Sequence, residues 1–186
     1  MTEQATRRSL ARRRLLHGLS APLAAILFQL PIGRVEAAVR ERSVLLHHRH
    51  TGETLRSVYY ADGRYQPAAL AAATHHLRDW RDQTQLPVDP KLLDLLWSMR
   101  SALETSRPIQ VFCGYRSPGT NAMLRRTRHG AARHSLHMRA MAIDLQVEGR
   151  SLSGVRRAAV ALKGGGVGYY PRSGFVHVDT GDIRYW

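Results

Sequence analysis

Apolar positions recur along this chain at two periods, and each period marks an element. From Ser43 to His48 and from Thr54 to Tyr60 the pattern alternates, with Val44 and Leu46 set against Leu45 and His47, and Thr51-Gly52 lies between the two runs. That combination predicts a β-hairpin. Pro67 then opens a helical pattern to about Arg81, carried by Leu70, Ala73, Leu77 and Trp80. After Leu86-Pro87-Val88-Asp89-Pro90 breaks the chain, a second helix is predicted to about Glu104, with Leu92, Leu93, Leu96, Trp97 and Leu103 as its apolar side. Ile109 to Cys113 reads as a buried strand, Pro118 to about Arg126 as a short polar helix, and Thr127 to Arg133 as a basic loop. A strand from Ala140 to Val147 follows, then a helix capped by Ser151 and reaching Leu162. Gly164-Gly165-Gly166 turns into Val167 to Tyr170, and Pro171 to Gly174 turns again into Phe175 to Asp179. Ile183 to Trp186 reads as an edge strand or tail. Helices ahead of a small, mostly antiparallel sheet predict an α+β domain.

The first 37 residues do not belong to that domain. Arg7, Arg8 and then Arg12-Arg13-Arg14-Leu15-Leu16 precede a moderately apolar stretch from Gly18 to Ile32, and Val35-Glu36-Ala37 has the small residues of a cleavage site. This is the layout of a secretory signal, and the paired arginines resemble a twin-arginine signal that exports folded proteins. The expected cut falls after Ala37 or Ala38. About 15 apolar residues interrupted by Pro22, Gln29 and Pro31 are short of the ~20 that a spanning helix needs, so no lasting membrane insertion is expected. Residues 38–186 form the expected domain, large enough to bury a core unaided and expected to be monomeric.

The chain of 186 residues carries a formal charge of +14, almost all from arginine, since Lys91 and Lys163 are its only lysines. Six arginines and two glutamates leave with residues 1–37, and the remainder stays at about +10. Such a charge favours polyanionic partners, namely nucleic acid, anionic lipid or an anionic wall polymer. Nucleic acid is set aside, because the arginines lack interleaved aromatics and any reader motif, and because export takes the chain away from it. The lone Cys113 excludes an internal disulfide, and its apolar strand makes it a small buried hydrophobe rather than a nucleophile.

Ten histidines are present. His17 belongs to the signal. His47, His48 and His50 flank a hairpin turn, where a solvated surface is expected. His75 and His76 are neighbours on a helix and face different ways. His129, His134, His137 and His177 remain. His137 is followed seven residues later by Asp144, a carboxylate flanked by Ile143 and Leu145 that is costly to bury unless paired or metal-bound. His177 sits in the apolar run Phe175-Val176-His177-Val178. Two imidazoles and a carboxylate suit zinc and leave a fourth position for water. On spacing alone, a satisfied His–Asp pair in the core is the simpler reading.

Further motifs surround this set. His50-Thr51-Gly52-Glu53 follows the first strand and Leu77-Arg78-Asp79-Trp80-Arg81 closes the first helix. Gly114-Tyr115-Arg116-Ser117-Pro118 precedes Ser135-x-His137 and Asp144, and Gly166-Val167-Gly168-Tyr169-Tyr170-Pro171, His177-Val178-Asp179 and Arg184-Tyr185-Trp186 follow. Together they resemble the M15 group of zinc peptidases acting on D-amino-acid-containing peptides, which shares its fold with lysostaphin-type enzymes and the hedgehog signalling domain. The nearer resemblance is to its exported cell-wall subfamily long labelled DUF882, which includes a murein endopeptidase.

The resemblance implies His137, Asp144 and His177 as ligands of one Zn2+ per chain. It implies Arg116 near the reacting carbonyl or the substrate carboxylate, a task that suits an always-charged planar fork. It implies Ser135 as a lining, substrate-contacting residue. Two departures stand out. Ala140 replaces the usual glycine. Gly174 and Phe175 occupy the places from which much of the group supplies a glutamate or histidine as general base. Asp179, on the same strand face as His177, is then either the base or a carboxylate that holds a ligand histidine; His134 is a weaker candidate for the base. The implied function is hydrolysis of peptidoglycan cross-link peptides in the periplasm, at a D-configured or meso-diaminopimelate residue. The basic segment Arg125 to Arg139 is the expected contact for stem-peptide carboxylates. The alternative is a non-catalytic, zinc-containing wall-binding protein of the same fold.

Overall fold

The computed structural model describes residues 41–127 and 131–186; the signal-like segment 1–37 lies outside them. The predicted hairpin is present as β1 (Arg42–His48) and β2 (Thr54–Ala61), paired antiparallel around a turn in which Gly52 has φ 74°. A two-residue β3 (Arg64–Tyr65) extends it. Helices α1 (Pro67–His76) and α2 (Pro90–Ala102) follow. Next come β4 (Ile109–Cys113), α3 (Pro118–Thr127), a 3-10 turn (Leu136–Arg139), β5 (Ala142–Val147) and α4 (Leu152–Leu162). The chain closes with β6 (Gly166–Tyr170), β7 (Phe175–Asp179) and β8 (Arg184–Tyr185). The eight strands make one sheet in the order β3-β2-β1-β4-β5-β7-β6-β8. Only the β1–β4 and β6–β8 pairs are parallel, so the α+β expectation holds. Among the described residues no helix is long and apolar enough to cross a membrane.

One face of the sheet carries the core. Leu46, Ile109, Val111, Ile143, Leu145, Val147, Val176 and Val178 are fully buried there with Leu92, Leu93, Leu96 and Met99 of α2 and Val155 and Ala159 of α4. A strand turns alternate side chains to opposite faces. Asp144 and Gln146 of β5 and His177 and Asp179 of β7 therefore point away from the helices, and the core fixes the chemistry on the other face.

Helix α1 stops at His76, five residues before the position its apolar spacing predicts. The Leu77 carbonyl accepts from Tyr115 N–H (2.7 Å). Arg78 forks onto Glu53 at 2.8 and 2.9 Å. Asp79, buried, accepts from Ser117 N–H (2.9 Å). His50 stacks on Trp80 with ring centroids 4.3 Å apart. The two early motifs thus clamp one another and anchor the Gly114–Ser117 loop.

His48 departs from its expected solvated place, for it is fully buried. Its Nδ1 accepts from His50 and Thr51 N–H groups (3.2 and 3.4 Å). The rings of His48 and His76 lie 6.0 Å apart, and the Nε2 atom of each is buried without a partner among the described residues. Burial above all, with the charge of His76 next, lowers the His48 pKa to about 4; burial likewise lowers His76 to about 4. The unfolded chain, with both near 6.5, takes up protons first as pH falls. Stability is expected to be full above about pH 6.5 and to be lost between there and pH 4. The thermal midpoint should drop from pH 7 to pH 5, and drop less in His76→Leu; equal slopes would contradict this.

Ala140 ends the 3-10 turn at φ 52°, ψ 32°, the left-handed region that a Cβ disfavours. The departure from glycine therefore has a cost at a buried position. Ala140→Gly is expected to fold without loss of stability. Ala140→Val should cost about 2 kcal/mol, read by chemical denaturation.

Candidate metal centre

Three neighbouring strands and one turn build the site. Register pairs Asp144 of β5 with His177 of β7. On the other side, an irregularity between Val111 and Cys113 sets Cys113 opposite Asp144. Such a bulge adds a residue and re-aims the side chain that follows it, so the sulfur of Cys113 turns from the core toward the carboxylate. His137 enters from the 3-10 turn. Ser135 caps that turn, its buried Oγ accepting from His137 N–H (3.3 Å), and so holds the backbone of His137.

The tautomer of each histidine follows from its outer partner. His137 Nδ1 lies 2.7 Å from the Gly114 carbonyl, which can only accept, so Nδ1 carries the hydrogen and Nε2 is the lone-pair atom. His177 Nε2 lies 2.9 Å from Asp179 Oδ2, so Nε2 donates and Nδ1 is the lone-pair atom. These two free nitrogens are 3.1 Å apart, and they stand 3.2 and 3.0 Å from Asp144 Oδ1. Three acceptors thus converge in a buried place. They repel unless a proton or a cation sits among them. Zinc bonds of 2.0–2.1 Å in tetrahedral array require donor separations of about 3.3 Å, close to those observed.

The local field has the same sign. Burial would lower the basicity of His137, but the Asp144 carboxylate and Cys113 together outweigh it and raise the pKa to about 10. Burial would raise Asp144, yet the two histidines hold its pKa below the ordinary carboxylate range. A pocket that holds a proton this firmly also suits a metal cation.

Cys113, His137 and Asp144 each offer a ligand atom within 4.8 Å of the others. This set shares two members with the histidine–carboxylate set and swaps His177 for sulfur. The His177 set is the tighter of the two. Burial pushes the Cys113 thiol up, but His137 and, more weakly, Arg116 lower it further than that.

Arg116 is buried, with Nη2 3.7 Å from Asp144 Oδ2 and 3.6 Å from Cys113 Sγ, and Nη1 donates to Asn121 (3.3 Å). Its own N–H bonds the His137 carbonyl (3.1 Å). Asp179 lies on the far side of His177 and is fully buried. It accepts from Gly166 and Gly181 N–H groups, His177 Nε2 and both terminal nitrogens of Arg184. Burial would raise its pKa, but the bond from His177 and those N–H groups lower it to about 2. Trp186 closes the same side, its ring 5.3 Å from that of His177. A Cβ on Gly168 would lie 2.6 Å from Trp186, so glycine is needed for that approach.

The structure therefore brings together His137, Asp144, His177 and Arg116. It places Ser135 on the His137 backbone and Asp179 behind His177. His134 is exposed, as are Arg133 and Arg139 of the basic segment, whose residues 128–130 lie outside the described ones. The sequence reading missed the Gly114 carbonyl, Cys113, Asn121, Arg184 and Trp186. Only the surrounding motifs hinted at these, because a backbone carbonyl and a bulge leave no spacing signal.

Comparison with known proteins shows the family. Residues 36–186 match the Peptidase_M15_2 family, described as peptidoglycan L,D-endopeptidase MepK. The chain is 40% identical over 176 residues to peptidoglycan L,D-endopeptidase MepK of Escherichia coli (strain K12), covering 94% of this chain and 96% of that one. It is 38% identical over 148 residues to the probable peptidoglycan L,D-endopeptidase MepK of Haemophilus influenzae, covering 79% and 80%. With a family match over nearly all the described residues, the chain belongs to the Peptidase_M15_2 peptidases.

Proposed function

We propose that this chain is a zinc-dependent endopeptidase that hydrolyses peptidoglycan cross-link peptides, of the L,D type named for its relatives, outside the cytoplasm. The observation that carries the reading is the convergence of His137 Nε2, His177 Nδ1 and Asp144 Oδ1 within 3.0–3.2 Å of one another. Their lone pairs would hold zinc, which supplies a Lewis acid and a bound water with a pKa lowered towards ~7. The Gly114 carbonyl and Asp179 keep the two imidazoles in the ligating tautomer. Asp179 is thereby a positioning residue. Its oxygens are surrounded by donors and the imidazole stands between it and the ligating atoms, which supports positioning over the role of base. Arg116 neutralises the outer oxygen of Asp144 and presents a fixed positive charge where an oxyanion develops. The arginine pattern at residues 7–16 supports export by the twin-arginine route, which would carry the folded domain to the wall. The remaining charge of about +10 favours a polymer with free carboxylates.

Incubation with purified cross-linked sacculi tests the reading: new muropeptides are expected from the wild type and none from a ligand variant. Identical profiles would support the non-catalytic alternative. The ligand assignment has its own check. Cys113→Ser should keep zinc near one equivalent per chain, whereas His177→Ala should lose it. The reverse result would make Cys113 the third ligand.

A further inference from the structure

Helix α3 buries only Thr120 and Asn121, and both are polar. An inward helix face ordinarily carries apolar side chains, and a buried amide is costly unless it is bonded. The start of this helix is fixed from outside. Ser117 caps it, its Oγ accepting from Thr120 N–H (3.0 Å), and Asp79 accepts from Ser117 N–H (2.9 Å). Asn121 is 3% exposed and uses both ends of its amide. Its Nδ2 donates to the Ala132 carbonyl (3.1 Å), which can only accept, so Oδ1 is the end turned to Arg116 Nη1, at 3.3 Å. The amide therefore has one orientation, and it ties the arginine to the segment that leads into Ser135 and His137.

The other donors of Arg116 are loosely engaged. Nη2 lies 3.7 Å from Asp144 Oδ2 and 3.6 Å from Cys113 Sγ, and Nε–H is buried without a partner among the described residues. A guanidinium bonded to a carboxylate settles at about 2.7–2.9 Å, frequently as a fork onto both oxygens. Arg116 stops short of that pair with Asp144. Among the described residues, Asn121 Oδ1 is the only side-chain oxygen within hydrogen-bond distance of the guanidinium. A full fork onto Asp144 would also occupy Oδ1, the oxygen that faces His137 and His177.

We propose that Asn121 is a positioning residue that keeps the Arg116 guanidinium from closing on Asp144, which leaves the carboxylate free to ligate and the remaining arginine donors free for a substrate oxygen. In this role, which rests on the zinc endopeptidase reading above, Asn121 acts through Arg116 alone. Without the Asn121 oxygen, Arg116 forks onto Asp144 and competes with the metal for it. The arginine's charge is then spent on a ligand rather than held for the developing oxyanion.

A double-mutant cycle on the full chain tests this, with zinc affinity read by competition with a chelating dye and cleavage read on purified sacculi. Asn121→Ala should weaken zinc binding by about tenfold and cleavage by at least as much. The same substitution in an Arg116→Met background should leave zinc affinity where Arg116→Met alone puts it, since no guanidinium remains to close on Asp144. Asn121→Asp keeps an acceptor for Nη1. It should bind zinc like the wild type while cleavage falls about tenfold, because the added carboxylate neutralises the arginine. Asn121→Leu, which keeps the bulk, runs the same cycle if Asn121→Ala does not fold. Unaltered zinc affinity on losing the amide, or an equal loss in the two backgrounds, would overturn the role of Asn121. Coupling in zinc affinity without wild-type cleavage defeats the endopeptidase reading alone, and wild-type cleavage with equal losses in the two backgrounds defeats the positioning role alone.

Discussion

His137→Ala is expected to remove zinc and activity together. His137 supplies one of three converging lone pairs, and it is the member that ties the 3-10 turn to the Gly114 carbonyl. With it gone, His177 and Asp144 keep two ligand atoms, too few for a closed set. Zinc content should fall from about one per chain to near none, and cleavage of cross-links should fall by about 10³-fold or more, since both the polarised carbonyl and the activated water are lost. The variant also leaves Asp144 buried beside Arg116 alone, at 3.7 Å. A folding check by circular dichroism is therefore needed, and Asp144→Asn, which keeps the shape, provides a second route to the same result. Zinc retained at one equivalent in both variants would sink the ligand assignment.

Asp179→Asn should have the next largest effect, without touching any ligand atom. The carboxylate of Asp179 only accepts, so it fixes the His177 hydrogen on Nε2 and the lone pair on Nδ1. An asparagine amide can donate instead, which would move the hydrogen to Nδ1 and turn a donor toward the metal. The substitution also weakens the pair with Arg184 at 2.7 Å. Zinc affinity is expected to fall by about 10–100-fold, the usual effect of losing a group that orients a metal-bound histidine. Competition with a chelating dye measures this. Nitrogen chemical shifts of the His177 ring should report the changed tautomer, which a general base would not require. Unchanged affinity with lost turnover would instead return Asp179 to the role of base.

Most of the fold was legible because the core is written in period. The strands at Ile109–Cys113 and Phe175–Asp179 and the Ser151-capped helix stand where their patterns place them. Helix α1 shows what period cannot carry. Leu77 and Trp80 continue its spacing, but the partners that end it, Tyr115, Glu53 and Ser117, lie 25–38 residues away in sequence. The same holds for the site. His137, Asp144 and His177 were readable as metal-prone residue types, and their strand placement was readable as adjacency. The turn of Cys113 toward Asp144 depends on a bulge in β4, and the isolation of Asp179 behind His177 depends on Arg184 and two backbone N–H groups. Neither follows from local pattern. The burial of His48 was likewise hidden, because a histidine beside a turn looks solvated until His76 packs against it.

A zinc centre built on the convergent triad makes cross-link cleavage follow the metal. The muropeptide profile of purified sacculi, treated with the protein as isolated, after chelation, and after zinc is restored, reads this. Loss of L,D-cross-linked dimers with matching gain of monomers is expected in the first and third samples, and an unaltered profile in the second. Cleavage that persists at full rate after zinc is shown to be removed, or no cleavage at one zinc per chain, would contradict it.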